Sequence, residues 1–272
     1  MEKMEEQVMY EELYRELPDA KEYLKRLKIE KKEVCDEGYL DALVTAHQCE
    51  IPFENLDVMG KKTVSLAVED LFEKVIRRKR GGYCFELNSL FCHLLNTLGF
   101  KADGCRSRIL RGKDYLPPVL HRGNLVRLDD GLYYCDVGYG GPQPGASVKV
   151  EDGYEKMIAG RVFRVQKADD YWWTLYRQME EGWEAVMQFT AMPQSEVDFV
   201  PINYYCSTHP DSVFVQRYML NRRLQNGSIS LVGDVFARTE DGVKTEEKVK
   251  DRERFLELAE KEFGIPNPGE LI

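Results

Sequence analysis

The sequence contains no apolar run of the roughly 18 residues that a membrane-spanning helix needs. It has no C-x-x-C pair, and its seven cysteines, at 35, 49, 84, 92, 105, 135 and 206, follow no zinc-ligand spacing. The odd count does not suit a disulfide framework, and the opening Met1-Glu2-Lys3-Met4-Glu5-Glu6-Gln7 is acidic where a secretion signal would be basic and then apolar. The expectation is a cytoplasmic protein with reduced thiols, no metal and no membrane partner. An excess of positive charge is missing too: 38 Lys and Arg against 47 Asp and Glu leave a net charge of −9, which argues against nucleic acid as a partner. Histidine is scarce, with four in the chain, and there is no internal repeat or low-complexity segment.

What is present is ample apolar material, 43% of 272 residues, enough for one large domain or two to three small ones. As far as residue 98 the pattern is helical apart from loops. Met9, Tyr10, Leu13, Tyr14 and Leu17, then Tyr23, Leu24 and Leu27 beyond Pro18, predict two short helices; further helices are expected over 39–47 and 66–78. A longer one starts at Cys84, with Phe85, Leu87, Leu90, Phe91, Leu94, Leu95 and Leu98 on its apolar face. From Gly99 the period shortens. Strands are expected over 105–111, 120–128, 132–137, 148–150, 161–167, 172–178 and 183–189, with turns at Asp129-Asp130-Gly131 and Gly140-Gly141-Pro142, which suggests a small barrel or sandwich. After Pro201 the reading is mixed: a helix over 212–225, strand and turn over 229–239, and a charged helix over 246–263 stopped by Gly264 and Pro266. The division implied is 1–98, 99–203 and 204–272.

Arg80-Gly81-Gly82-Tyr83-Cys84-Phe85-Glu86 is the stretch with chemistry in it. Cys84 falls at a helix start, where unpaired N–H groups and the positive dipole end favour a thiolate. The two glycines allow close approach of other backbone. A cysteine is more often just a small buried hydrophobe, so the position alone leaves both readings open. The cationic run Arg77-Arg78-Lys79-Arg80 reads either as a solvated helix end or as a pocket for an anion. Upstream, Pro52 forces Ile51 to be extended, and Glu54 and Asn55 stand among apolar neighbours, so they need partners if buried. Arg80 is positioned in the sequence to brace Glu54 and the loop before Cys84.

A cysteine nucleophile needs a base and a group to orient that base. His93 lies too far along the helix of Cys84, His47 belongs to an earlier helix and His209 precedes Pro210 in a loop. His121 begins a strand. Asp136 ends the next one. If Asp129-Asp130 are the turn, Leu128 faces Gly131 and Asp136 becomes a diagonal neighbour of His121 on the same face, about 7–8 Å away between α-carbons. A turn at Asp130-Gly131 keeps the face but lengthens the gap, and a three-residue loop puts the two on opposite faces.

Ile51-Pro52-Phe53-Glu54-Asn55-Leu56, the Arg80–Glu86 stretch, His121 followed by Asp136-Val137-Gly138-Tyr139-Gly140, and Asn203-Tyr204-Tyr205-Cys206-Ser207-Thr208-His209-Pro210 with Ser212 and Phe214 together resemble the arylamine N-acetyltransferases, in order, over residues 40–235. The resemblance implies an α+β fold: a helical first domain, a β-barrel second and an α/β lid, with a papain-like triad of Cys84 as acetyl-accepting nucleophile, His121 as base and Asp136 as orienter. It implies acetyl-CoA as co-substrate, no tightly bound cofactor, small aromatic amines, hydrazines or N-hydroxyarylamines as acceptors, and a ping-pong sequence. Phe53, Tyr139, Gly140 and Phe214 are then candidates for the substrate and coenzyme walls, and Arg80, Glu54 and Asn55 for structural support. The chain departs from the family at Leu120, at Arg122-Gly123-Asn124 and at Tyr139, all expected to border the cleft. Two rivals remain: a cysteine peptidase or transglutaminase-like hydrolase using the same three residues, and a catalytically silent binding module.

Overall fold

The computed structural model describes residues 10–271, so Met9 and Ile272 lie outside it. A 3-10 turn, Glu11–Leu13, is followed by helices α1 (Ala20–Leu27) and α2 (Glu37–Glu50). Both helices start on an aspartate whose carboxylate accepts first-turn N–H groups, Asp19 from Lys21 and Glu22 and Asp36 from Tyr39. A two-residue strand, β1 (Phe53–Glu54), forms in the loop after α2, within a region the sequence pattern presents as helical apart from loops. Then come α3 (Leu56–Met59) and α4 (Val68–Phe72). The single helix expected over 66–78 is divided: after α4 the chain widens into a π-helical turn, Glu73–Arg77, closed by the Arg78 N–H on the Glu73 carbonyl at 2.9 Å. Helix α5 (Cys84–Leu98) is buried on nearly all sides and ends at Gly99, whose φ of 108° is the left-handed cap that glycine tolerates.

Beyond it lies an eight-stranded antiparallel sheet: β2 (Lys101–Ile109), β3 (His121–Leu128), β4 (Gly131–Cys135), β5 (Val148–Lys149), β6 (Tyr154–Ile158), β7 (Arg161–Lys167), β8 (Trp172–Met179) and β9 (Gly182–Thr190), ordered β5-β4-β3-β2-β9-β8-β7-β6. Its end strands, β5 and β6, lie against each other, so the sheet curls into a nearly closed barrel. The sequence pattern gave no sign of β6.

Helices α6 (Val200–Thr208) and α7 (Val213–Gln216) lead to a second antiparallel sheet, built from β1, β10 (Met219–Leu224), β11 (Gly227–Val232), β12 (Val235–Glu240) and β13 (Val243–Lys248), with α8 (Arg252–Lys261) packed on it. The helix expected over 212–225 is therefore wrong. The side chain of Asn55 stops it after one turn by donating to the Phe214 and Arg217 carbonyls at 2.8 and 2.9 Å and accepting the Met219 N–H at 2.7 Å. The chain then pairs as a strand with β1 and β11. The expected helix over 246–263 starts late, because 243–248 pair as β13 and Asp251 caps α8. Among the described residues no helix is long and apolar enough to cross a membrane.

Three apolar clusters fill the molecule. One joins the helices to the outer face of β3 and β4 through Val126, Tyr133 and Cys135; one fills the barrel; one lies between the β10–β13 sheet and α8 and takes in Leu56. The overall class is α+β: helical bundle, barrel and α/β lid.

Candidate active site

The loop before α5 is a crossing point. The Glu54 N–H bonds the Gly82 carbonyl at 2.8 Å, and a side chain on Gly81 would put its first carbon 1.9 Å from the Pro52 carbonyl oxygen. Only glycine permits that approach. Glu86 accepts the Tyr83 N–H at 3.0 Å, fixing the first turn, and Cys84 is the first residue of the helix. As in any helix, the first N–H groups have no intrahelical acceptor. The Phe85 N–H of that first turn and the Arg122 N–H of β3 act on the Cys84 sulfur. The side chain is 1% exposed.

The β3–β4 hairpin brings two more residues to this point. Its register is the first of those considered: Leu128 faces Gly131 and Asn124 faces Cys135. His121 and Asp136, just beyond the paired stretch, share a face, and His121 Nε2 lies 2.6 Å from Asp136 Oδ2 with both side chains buried. The other oxygen, Oδ1, accepts the Gly138 N–H at 2.8 Å and the Asn88 amide at 2.9 Å. Gly138 packs directly on the helix start: an added β-carbon would stand 2.8 Å from Cys84 Cα.

Asn88 is the residue that sequence reasoning missed. One turn after Cys84 on the same face of α5, it also donates to the Arg122 carbonyl at 2.6 Å and accepts the Val137 N–H at 2.9 Å. It thus joins the helix to both strands. A polar residue i+4 from a candidate nucleophile, inside an otherwise apolar helix, was the available signal. Gln48 was missed as well; from α2 its amide donates to the carbonyls of Asp136 and Pro144, each at 2.9 Å.

Burial pushes the Asp136 carboxyl up, but the His121 ring and the hydrogen bonds from His121, Asn88 and Gly138 outweigh it and hold the group below the ordinary carboxylate value. For Cys84 the balance runs the other way. Burial, the neighbouring Cys206 and the Asp136 charge push the thiol well above its usual value, against the backbone N–H groups of Arg122 and Phe85. The expectation that the helix start by itself yields a thiolate is therefore corrected, because desolvation of a sulfur with almost no water contact exceeds what two N–H groups return.

The supporting residues meet as follows. Arg80 Nε and Nη2 both reach Glu54 Oε1, at 2.8 and 2.7 Å, while Glu54 Oε2 accepts the Leu56 N–H at 2.8 Å. Asn55 holds the backbone of 214–219, as described above. Phe53 and Phe214 approach to 6.3 Å between ring centroids, and Gly140 abuts the Phe53 ring. Tyr139 stands edge-on to the His121 ring at 5.9 Å, and burial raises its hydroxyl to about 12. Arg122, Gly123 and Asn124 do not line the cleft described below; they turn inward. Arg122 is wholly buried, forked onto Glu196 at 2.5 and 2.6 Å and stacked over Phe199. Gly123 makes room for the Tyr134 ring, whose hydroxyl bonds Asp136, and Asn124 donates to the Asn88 carbonyl at 3.0 Å. His47 bonds Tyr23 and His209 stacks on Tyr205.

A buried cysteine at a helix start, with a histidine–carboxylate pair on the hairpin whose Gly138 packs against that start, is an arrangement suited to acyl transfer through a thioester. The N-acetyltransferase family model matches residues 38–270. The arylamine N-acetyltransferase of Mycolicibacterium smegmatis is 32% identical over 250 residues, covering 89% of this chain and 90% of the relative. A Salmonella typhimurium arylamine N-acetyltransferase / N-hydroxyarylamine O-acetyltransferase is 32% identical, covering 83% and 81%. Among solved structures, Mycobacterium marinum arylamine N-acetyltransferase in complex with CoA superposes with a TM-score of 0.86 at 28% identity, covering 93% of this chain and 97% of that one. The chain belongs to the arylamine N-acetyltransferase family, and so is an acyltransferase.

Proposed function

We propose that the enzyme moves acetyl from acetyl-CoA to an aromatic amine in two half-reactions through Cys84. The observation that carries this reading is the 2.6 Å bond between His121 and Asp136, formed where Gly138 and Asn88 seat the hairpin against the helix that starts with Cys84. With Nε2 engaged by Asp136, His121 has Nδ1 left to take the thiol proton. The thiolate and imidazolium form together, so the buried sulfur never carries an uncompensated charge. The sulfur attacks the thioester carbonyl, the developing oxyanion is held by the Cys84 N–H, and CoA leaves with the proton from His121. The amine then attacks the acetyl-enzyme, its proton passes to His121, and the Cys84 thiolate is released. In balance, acetyl-CoA and amine become CoA and amide.

Phe53, Gly140, Phe214 and Tyr139 form the apolar wall for the acceptor ring. Arylhydrazines and, by analogy with the Salmonella relative's name, N-hydroxyarylamines are further acceptors. The chain divides into 1–98, 99–203 and 204–272. Its location is the cytoplasm, a reading supported by seven free cysteines.

The test is intact mass after incubation with acetyl-CoA. One acetyl group is expected on the parent protein, none on Cys84→Ala, with discharge on adding an arylamine. Absence of an adduct together with peptide cleavage would instead favour a hydrolase. His121→Ala is expected to slow iodoacetamide labelling of Cys84 strongly. A parent Cys84 no more reactive than a free thiol at pH 7 would favour a silent module.

A further inference from the structure

A cleft of about 820 Å³ opens between the barrel and the β10–β12 face of the lid. Phe53, Val137 and Gly140 line it, and Gly138 between the last two packs against the Cys84 backbone. In a protein of net charge −9 its charged lining is inverted: Arg111, Arg161, Arg177 and Arg223 face it with one acid, Asp241. Two of the four are occupied. Arg111 and Arg177 both pair with Glu184, Arg111 at 3.3 Å. The other two have no carboxylate partner among the described residues. Arg161 starts barrel strand β7; Arg223 lies on lid strand β10. The Arg223 guanidinium rests on Gly145, where an added β-carbon would meet it at 2.5 Å, and it donates a long hydrogen bond from Nη1 to Gln48 Oε1, at 3.5 Å. Burial pushes its pKa down, with Cys49 the opposing influence. A partly buried cation without a counter-charge destabilises the free protein, and it gives an incoming anion a site that is already desolvated and oriented.

We propose that Arg223, with Arg161 from the barrel wall, binds phosphate groups of acetyl-CoA and so sets the preference for a CoA-borne acetyl group. The proposal rests on the acetyl-CoA reading above. Guanidinium forks suit phosphate oxygens, and a donor anchored there shares the cleft with Val137 and Gly140, which flank the Gly138 that packs on Cys84. Gln48 adds a link, since the amide beside Arg223 also holds the Asp136 carbonyl.

The test compares acetyl-CoA with p-nitrophenyl acetate, a donor without phosphate. In Arg223→Gln the ratio of kcat/KM for acetyl-CoA to that for the ester is expected to fall about tenfold or more, mainly through KM, and Arg223→Lys should recover part of it. In thermal melts, CoA should raise the parent's Tm and leave that of Arg223→Gln nearly unmoved, while the ligand-free variant melts at or above the parent. An unchanged ratio with an unchanged CoA shift overturns the proposal, as does an equal loss with both donors accompanied by a lower ligand-free Tm. If the parent takes acetyl from neither donor, the acetyl-transfer reading fails, and the CoA shift in parent and variant still decides the role of Arg223.

Discussion

Asn88 offers the sharpest test at the scale of single residues. Its amide and carbonyl join Asp136 Oδ1, the Arg122 carbonyl and the Val137 N–H within one buried side chain. Asn88→Ala leaves those groups short of a partner, at about 1–3 kcal/mol for each buried group left unpaired. The expected result is a folded protein of lower Tm whose kcat falls by roughly tenfold to a hundredfold. A purely structural role would not move the pH profile. A positioning role would: without the Asn88 hydrogen bond the Asp136 carboxylate is held down less, its pKa rises, and the acid limb of kcat/KM shifts to higher pH. Cys84, His121 and Asp136 were legible because each sits in a motif or at a computable register. Asn88 was hidden because its partners come from strands distant in sequence, and the depression of the Cys84 pKa was misjudged because burial is not a property of a helix end in isolation.

At the scale of elements, the loop before α5 is held by a charge network. Arg80 reaches Glu54 and Asp57; Lys74 reaches Asp57 and Glu86, each at 2.7 Å; Glu86 caps Tyr83. Glu54 is fully buried. Removing its partner strands a buried carboxylate, so Arg80→Met is expected to destabilise the fold by roughly 3–5 kcal/mol. Urea unfolding and soluble yield would report it, and a mutant as stable as the parent would refute the bracing role. The strand β10 shows where sequence pattern misleads at this scale. The residues over 212–225 carry apolar positions compatible with a helix, yet three hydrogen bonds to Asn55 end the helix early and neighbouring strands supply the pairing that follows. No local signal in 212–225 encodes a side chain at position 55.

Across the whole molecule, the largest apolar cluster ties the helices to the hairpin that carries His121 and Asp136, so folding and assembly of the site are one event. His47 gives this core an acid weakness. It is buried against Phe91, bonded to the Tyr23 hydroxyl, and pushed from 6.5 down to about 3 by burial and by Arg26. Between those values the unfolded chain binds a proton that the folded chain refuses. Stability is therefore fully present above about pH 6.5 and is lost progressively as pH falls toward 3. Urea midpoints measured from pH 7 to 4 should decline, and His47→Phe, if it folds, should flatten part of that decline.

The sequence by itself determined the helix that begins with Cys84, the glycines that admit neighbouring backbone and the alternation of the barrel strands, and it reduced the pairing of His121 with Asp136 to a choice of turn that the hairpin register then settled as Asp129-Asp130. These follow from local periodicity, turn chemistry and pairing parity, which act over a few residues. Only the tertiary structure decided that burial pushes the Cys84 thiol up, that Asn88 and Gln48 hold Asp136 from two helices, that Arg122 turns inward onto Glu196, and that two arginines facing a cleft have no carboxylate partner among the described residues. Each depends on desolvation or on contacts between segments far apart in the chain, and neither is written in any short stretch of it.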